Sequence, residues 1–158
     1  MTPFHSFFPE LAQREVRCLH LGVSPEWQPH QAPELPPDEY VYMELYCEEL
    51  GCDCRRVFLQ VIRKGDLDKV LASIVYGWDK ESFYRKRISW DADAEANRIV
   101  RGHLDPINPQ SEFAGHLLDL FKQFVLDEPY RLRLRRHYRL FKEELARRDG
   151  QMPVGPAA

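Results

Sequence analysis

The sequence predicts an α+β fold, in which a small antiparallel β-sheet of three or four strands packs against C-terminal α-helices. Two observations support this prediction. Apolar residues recur in strand-like patterns over the first half of the chain and with helical spacing over the second half. Because the predicted strands precede the helices instead of alternating with them, the order favours an α+β fold over a parallel α/β fold.

Four segments of the first half are predicted to be strands. Residues 15–21 alternate in a strand-like way, and residues 56–62 are apolar on both faces, as in a central strand. Residues 70–76 form another apolar run, and Lys64-Gly65-Asp66 supplies the turn between these last two strands. The remaining strand, 40–47, has one face that carries Val41, Met43, Leu45 and Cys47 and a second face that carries Tyr42, Glu44 and Tyr46.

The second half is predicted to be largely helical. Asp79 is placed to cap a short helix through Phe83-Tyr84, whereas residues 91–102 are ambiguous between helix and strand. Another helix is predicted to start at Asn108-Pro109 and to be broken at Pro129, which opens the last helix. The buried stripe of the last helix is predicted to consist of Tyr130, Leu134, Tyr138, Phe141 and Leu145.

The length and composition fit a single domain. The chain has 158 residues, of which 44% are hydrophobic, so it can bury a core without depending on disulfides or metal. Residues 1–148 are predicted to form one α+β domain, and residues 149–158, which are rich in glycine and proline, a flexible C-terminal tail. The proline-rich stretch 25–37 is predicted to be an extended surface loop and not a domain boundary.

Charge and hydropathy exclude several classes of protein. The net charge is −3, so the molecule as a whole is not a cationic binder of nucleic acid or membranes. The longest apolar runs fall far short of the roughly 20 residues of a spanning helix, and residues 1–10 lack the basic and apolar regions of a signal peptide. We therefore expect a cytoplasmic protein with reduced cysteines and no membrane partner.

The most distinctive chemical feature is a cluster of three cysteines, Cys47, Cys52 and Cys54, in a loop between two predicted strands. Paired strands bring the two ends of such a loop together, and thiolates are the commonest ligands of structural zinc. Gly51 is placed to adopt a positive φ and to turn Cys52 back toward Cys47. Arg55-Arg56 is placed to offset the negative charge of three thiolates. This pattern predicts a zinc site.

A fourth zinc ligand has to come from elsewhere in the chain. The first candidate is His137, which lies on or beside the apolar stripe of the last helix, although a histidine on an apolar face is more often a core residue. The other candidates are His103, the strand neighbours Cys18 and His20, Asp53, and water. With water as the fourth ligand the site would be open, and open zinc sites can be catalytic.

Other motifs of catalysis and binding are missing or incomplete. The sequence has no nucleophile elbow, phosphate-binding loop or dinucleotide fingerprint. The acidic stretch 91–95 resembles the start of a calcium loop, but the glycine and the glutamate that the rest of such a loop needs are absent. The arginine-rich stretch 131–142 is more typical of the solvated face of an amphipathic helix than of a nucleic-acid-binding surface.

Several short motifs occur together in the chain. They are Phe7-Phe8-Pro9-Glu10, Tyr46-Cys47 with Cys52-Asp53-Cys54-Arg55-Arg56, Asp105-Pro106 with Asn108-Pro109-Gln110-Ser111, and Arg136-His137-Tyr138 with Phe141-Lys142. In these motifs the chain resembles a family of uncharacterised bacterial proteins of similar length, a domain of unknown function with a Cys-x4-Cys-x-Cys-Arg-Arg loop. The resemblance covers most of the chain and implies a bacterial, cytoplasmic source, but it implies no activity.

The resulting hypothesis is a small zinc-binding protein whose metal is structural and which acts as a binding module for an unknown protein or, as the less favoured alternative, for nucleic acid through its basic last helix. Because Cys-x4-Cys-x-Cys is not the paired Cys-x2-Cys knuckle, the alternatives stay open. The protein is otherwise a metal-dependent enzyme with an open three-cysteine site and His103 or His137 as acid–base, a thiol-redox protein using Cys52 and Cys54, or a protein in which these thiols are inert.

Overall fold

The structure is a computed structural model that describes residues 1–22 and 35–150. Most of the proline-rich stretch (25–34) and most of the predicted tail (151–158) lie outside the described residues. Within them, the predicted α+β class is confirmed, because one antiparallel sheet packs against helices, the longest of which is C-terminal.

Six strands form the antiparallel sheet. They are β1 (Thr2–Pro3), β2 (Arg17–Leu21), β3 (Asp38–Tyr46), β4 (Arg56–Arg63), β5 (Asp66–Gly77) and β6 (His103–Leu104). The order across the sheet is β1-β3-β4-β5-β6, and β2 pairs with β3 on the same edge as β1. The sheet is larger than the predicted three or four strands because β1 and β6 have two residues each, too few to leave a periodic pattern in the sequence.

The described part of the chain contains five α-helices. They are α1 (Pro9–Glu15), α2 (Glu81–Arg85), α3 (Ala92–Arg101), α4 (Ala114–Leu120) and α5 (Glu128–Gly150), with a 3₁₀ turn at Phe4–Ser6 and a π-helical turn at Phe121–Val125. The ambiguous stretch 91–102 is thus mostly helix, and α5 continues two residues past the predicted domain end at 148. Over residues 1–22 and 35–150, no helix combines the length and the apolar character that crossing a membrane requires.

Several boundaries differ from the prediction, including the starts of β2 and of α4. Strand β2 begins at Arg17, since Glu15 ends helix α1. Helix α4 begins at Ala114, several residues after Asn108-Pro109, because the intervening chain bonds to the edge of β5. Ser111 donates hydrogen bonds to the Leu71 carbonyl through both its backbone N–H (3.0 Å) and its hydroxyl (2.6 Å).

The core lies where the tyrosine face of β3 meets the helices. Tyr40, Tyr42 and Tyr46 alternate along β3 and are each at most 1% exposed. On the facing side, α5 buries Tyr130, Leu134, His137 and Phe141. The rings of Tyr46 and Phe141 lie 5.6 Å apart. The sheet face that the sequence marks with tyrosines is therefore the one that fixes α5, and it brings His137 into the interior.

Candidate functional site

The three clustered cysteines lie in the loop that joins β3 to β4. Their sulfur atoms are all within 4.8 Å of one another, and this is the one group of metal-binding side chains that converges in this way among the described residues. Gly51 has φ = 73°, which confirms the expected left-handed turn, and Arg55 has φ = 48°. Two left-handed residues in so short a loop allow its backbone to fold back, so that three thiols meet at one point.

The cysteine loop is held against α5 by two side chains of that helix. The hydroxyl of Tyr138 donates to the Cys52 carbonyl (3.3 Å) and accepts from the Arg55 N–H (3.4 Å). One turn further along, the ammonium of Lys142 donates to the Glu49 carbonyl (3.0 Å). These bonds satisfy loop backbone groups that have no strand partner, so the position of the three thiols depends on α5.

The charges around the thiols differ from those expected from the sequence. Arg55 does not offset the charge of the thiolates, because its guanidinium binds Asp53 (2.8 Å) and Asp79 (2.6 Å). Burial raises the pKa of the Cys52 thiol to about 11, and the neighbouring thiols Cys47 and Cys54 act in the same direction. All three cysteines are free thiols, and Cys52 is held in the neutral form.

The first candidate for a fourth ligand, His137, does not join this cluster. Its imidazole is 1% exposed and lies between two carboxylates, with Nδ1 2.7 Å from Glu44 and Nε2 2.8 Å from Glu15. Both ring nitrogens are therefore occupied, and neither is available to a metal held by the cysteines. The sequence placed His137 correctly on the buried stripe but did not reveal these two partners.

The strand candidates Cys18 and His20 lie too far from the cluster. Cys18 pairs with Val41 in the sheet, six strand positions from Cys47, or about 20 Å along β3. His20 faces Glu39 at 4.0 Å. Burial, together with a hydrogen bond to Glu39, raises the pKa of the Cys18 thiol to about 11. Cys18 therefore behaves as an inert, partly buried thiol.

The two remaining side-chain candidates do not converge with the cysteines either, and the Nε2 atom of His103 has no hydrogen-bond partner within the described residues. His103 lies on β6, where Nδ1 is 2.8 Å from the Leu104 carbonyl and Nε2 is 3.9 Å from Glu95. Asp53 is adjacent to two of the cysteines, but its carboxylate binds the Arg55 guanidinium through both oxygens. None of the side-chain candidates named from the sequence joins the three sulfur atoms, which leaves water as the fourth ligand among those candidates.

His137 belongs instead to a second polar cluster, the His137 network, which joins α1, β3 and α5. It consists of Glu15, His137, Glu44 and Tyr46, with the Tyr46 hydroxyl donating to the same Glu44 oxygen that His137 binds (2.8 Å). Arg136 pairs with Glu15 from the surface side. Each of the two bonds of the imidazole needs one proton, which either the ring nitrogen or the carboxyl group can donate.

This network is not a metal site, because the imidazole ring lies between the two carboxylates and keeps them apart. Its packing fixes that arrangement: the ring of Phe4 stacks on His137 with centroids 4.2 Å apart. From the sequence, Glu44 could have been singled out as the one carboxylate between Tyr42 and Tyr46 on a strand face. Nothing local singles out Glu15, which meets His137 across 122 positions of the chain.

The network predicts an acid-sensitive stability. Burial raises the pKa of Glu15, but hydrogen bonds from His137 and Arg136 outweigh it and hold that pKa below its usual value. A lowered pKa in the folded state stabilises the fold above about pH 4.3, the value for an unfolded glutamate, and this contribution is lost as the pH falls through the folded value. Urea unfolding at pH 7, 5 and 3.5 should therefore show a smaller acid loss for Glu15→Gln than for the unmodified protein.

Glu10→Gln is the matched control, because Glu10 is an exposed carboxylate on the same helix. It should retain the full acid loss. Equal acid slopes for Glu15→Gln and Glu10→Gln would contradict the assignment of this pH dependence to the His137 network.

No protein-family model, curated protein or solved structure matches this chain. The resemblance to an uncharacterised bacterial family therefore stays a prediction. The functions of the cysteine cluster and of the His137 network have to be inferred from their own geometry and chemistry.

Proposed function

We propose that Cys47, Cys52 and Cys54 bind one zinc ion, that this zinc has a structural role, and that the protein is a cytoplasmic binding module for another protein. The observation that carries the metal proposal is the convergence of three sulfur atoms within 4.8 Å. With Zn–S bonds of about 2.3 Å, tetrahedral geometry requires sulfur atoms about 3.8 Å apart. A contraction of about 1 Å or less would complete the three-cysteine half of the site.

The anchoring of the loop supports a structural role. Tyr138 and Lys142 already hold the loop backbone on α5. A zinc ion would fix the same loop further by cross-linking its two ends, Cys47 and Cys54. Metal binding would then be coupled to the docking of α5 against the sheet, as folding and metal binding are coupled in other structural zinc sites.

The chemistry of the thiols favours metal binding over redox activity. A reactive cysteine needs a lowered pKa and a nearby cation. Here the pKa of Cys52 is raised, and the nearest guanidinium, that of Arg55, is paired with Asp53 and Asp79. A bound zinc ion deprotonates its thiol ligands and would supply the missing positive charge.

The proposal predicts about one zinc per chain in the purified, tag-free protein. Cys52→Ser should reduce the zinc content to near zero, because two cysteines and solvent cannot replace a three-thiolate site. Elemental analysis together with a thiol count before and after denaturation measures both the metal and the protection of its ligands. Cys18→Ser is the matched control, since it removes the cysteine that lies outside the cluster, and it should retain the zinc.

An unchanged zinc content in Cys52→Ser would overturn the assigned ligands. Purified protein without zinc, in which every thiol reacts before unfolding and which takes up no added Zn²⁺, would overturn the metal proposal itself.

One observation favours a second candidate, an open zinc site in a metal-dependent enzyme. A surface groove of about 330 Å³ lies between the cysteine loop and α5, and Cys52, Asp53, Tyr138 and Lys142 are among its lining residues. A fourth ligand position occupied by water would face this groove. If the protein is loaded with Co²⁺, added imidazole should change the visible spectrum of an open site and leave that of a closed structural site unchanged.

The pairing of three of the arginines on α5 argues against a nucleic-acid partner. Arg136 pairs with Glu15, and Arg147 and Arg148 both bind Glu144. Arginines that already neutralise carboxylates contribute little to a phosphate-binding surface, which depends on uncompensated positive charge.

A further inference from the structure

A cavity of about 310 Å³ opens beside the His137 network at the free edge of β3. Strand β2 pairs with β3 only as far as Tyr42, and β1 pairs with it from Leu45 onward, so neither strand covers Met43 and Glu44 on this edge. Helix α1 passes over the gap and forms one wall through Ala12. The volume lies at the lower end of the range of about 300–1,000 Å³ that small-molecule sites occupy.

The cavity has apolar walls and a polar floor. Its walls include Phe4, Ala12, Val16, Val41 and Met43, and its floor is formed by Glu15, Glu44 and His137. Few apolar cavities of this size have two carboxylates and a buried imidazole at one end, because burying such groups is costly unless they are paired. The pairing inside the His137 network is what makes this floor stable.

The floor retains unused hydrogen-bond acceptors. Glu44 is 8% exposed, and its bonds from His137 and Tyr46 both end on Oε2. On Glu15, the bonds from His137 and Arg136 also end on Oε2. Within the described residues, the Oε1 atom of each carboxylate is therefore left as an acceptor. A carboxylate can accept about four hydrogen bonds, so both side chains have capacity for a donor from a ligand.

The charges at this end of the cavity favour a cation. The lining includes two carboxylates and two histidines, His5 and His137, but no lysine or arginine among the described residues. Arg133 and Arg136 contact Glu15 from outside and line a separate surface depression. A ligand with several N–H donors and a positive charge would complement the free carboxylate oxygens, whereas a carboxylate ligand has no donor to offer them.

We propose that this cavity is a binding site for a small organic ammonium ion, an amine with an apolar body of about six carbons. The ammonium group binds the free Oε1 atom of Glu44, Glu15 adds negative charge nearby, and the hydrocarbon chain lies between α1 and β3 against Val41 and Met43. Because the cavity and the cysteine loop have no lining residue in common, this site is independent of the proposed zinc centre.

Isothermal titration with n-hexylamine at pH 7 tests the proposal, with n-hexanol and hexanoate as probes of the same chain length. Hexylamine should bind about tenfold or more tightly than hexanol, because hydrogen bonds between charged partners are worth more than neutral ones. Hexanoate should show no binding. Hexanol or hexanoate binding as tightly as hexylamine, or hexylamine not binding at all, would overturn the proposal.

Two substitutions on α1 locate the binding. Ala12→Leu should weaken hexylamine binding at least tenfold, because the larger side chain occupies the cavity, whereas Arg14→Leu adds the same side chain at an exposed position that does not line it. Arg14→Leu also removes a positive charge and so should not weaken the binding of a cation. Equal affinities for these two variants would place the bound amine elsewhere and overturn the assignment.

A third variant separates this site from the zinc centre. Cys52→Ser should bind hexylamine as the unmodified protein does, whatever its zinc content. Loss of amine binding in folded Cys52→Ser would show that the amine binds at the metal, which contradicts the proposed cavity site.

Discussion

His137→Leu should lower the free energy of unfolding by about 2–4 kcal/mol, because it removes a hydrogen-bond partner from each of two carboxylates and a buried group left without its partner costs about 1–3 kcal/mol. Leucine cannot donate to Glu15 or Glu44, which His137 binds at 2.8 and 2.7 Å. Among the described residues, Glu44 then keeps only the Tyr46 hydroxyl as a donor, although Glu44 is 8% exposed. Urea denaturation at pH 7 measures the loss.

A double-mutant cycle identifies the cause of the stability loss in His137→Leu. If it comes from an unpaired buried carboxylate and not from lost packing, Glu44→Gln should be less costly in the His137→Leu background than in the unmodified protein. The two residues should therefore couple in a double-mutant cycle. Arg139→Leu, at an exposed position of the same helix, should change stability by no more than about 0.5 kcal/mol. A loss below about 1 kcal/mol in His137→Leu would show that the fold does not depend on the network.

The sequence was informative wherever local patterns decide the structure. The alternation in β3, the apolar run of β4 and the helical stripe of α5 are local, and together they predicted the α+β class. The cysteine cluster was also predictable, because Cys47, Cys52 and Cys54 are close in sequence and the loop between paired strands brings them together.

The sequence was uninformative where the structure depends on residues far apart in the chain. His137 meets Glu44 across 93 positions and Glu15 across 122, and nothing near any of them marks the pairing. From the sequence, His137 was therefore the first candidate for the missing fourth ligand of the cysteine cluster. The edge strand β6 was missed for a related reason, since its two residues are held by pairing with β5 and not by their own propensity.

Gln110→Met should lower the free energy of unfolding by about 2–3 kcal/mol. The side chain of Gln110 makes hydrogen bonds at the edge of β5 that a neighbouring strand would otherwise make. The Gln110 carbonyl oxygen accepts from the Ser73 N–H (2.8 Å), and its amide nitrogen donates to the Ser73 carbonyl (3.0 Å) and to the Asp105 carbonyl (2.9 Å). Ser73 is 5% exposed, so its N–H would be left buried without a partner, at a cost of about 1–3 kcal/mol. Methionine has a similar size but cannot make these bonds.

Gln110→Glu separates the hydrogen bond that the Gln110 side chain accepts from the two that it donates. A carboxylate can still accept from the Ser73 N–H, but it cannot donate to the carbonyls of Ser73 and Asp105. At pH 7 the carboxylate would also place a negative charge against those two carbonyls, so Gln110→Glu should be no more stable than Gln110→Met. At low pH the carboxyl is protonated and donates again, so we expect the stability of Gln110→Glu to lie between that of Gln110→Met and that of the unmodified protein. If thermal melts at pH 7 and pH 4 give the same difference between Gln110→Glu and Gln110→Met, the edge of β5 is held by packing alone. If the difference grows in favour of Gln110→Glu on acidification, one side chain supplies the hydrogen bonds that a seventh strand would otherwise make.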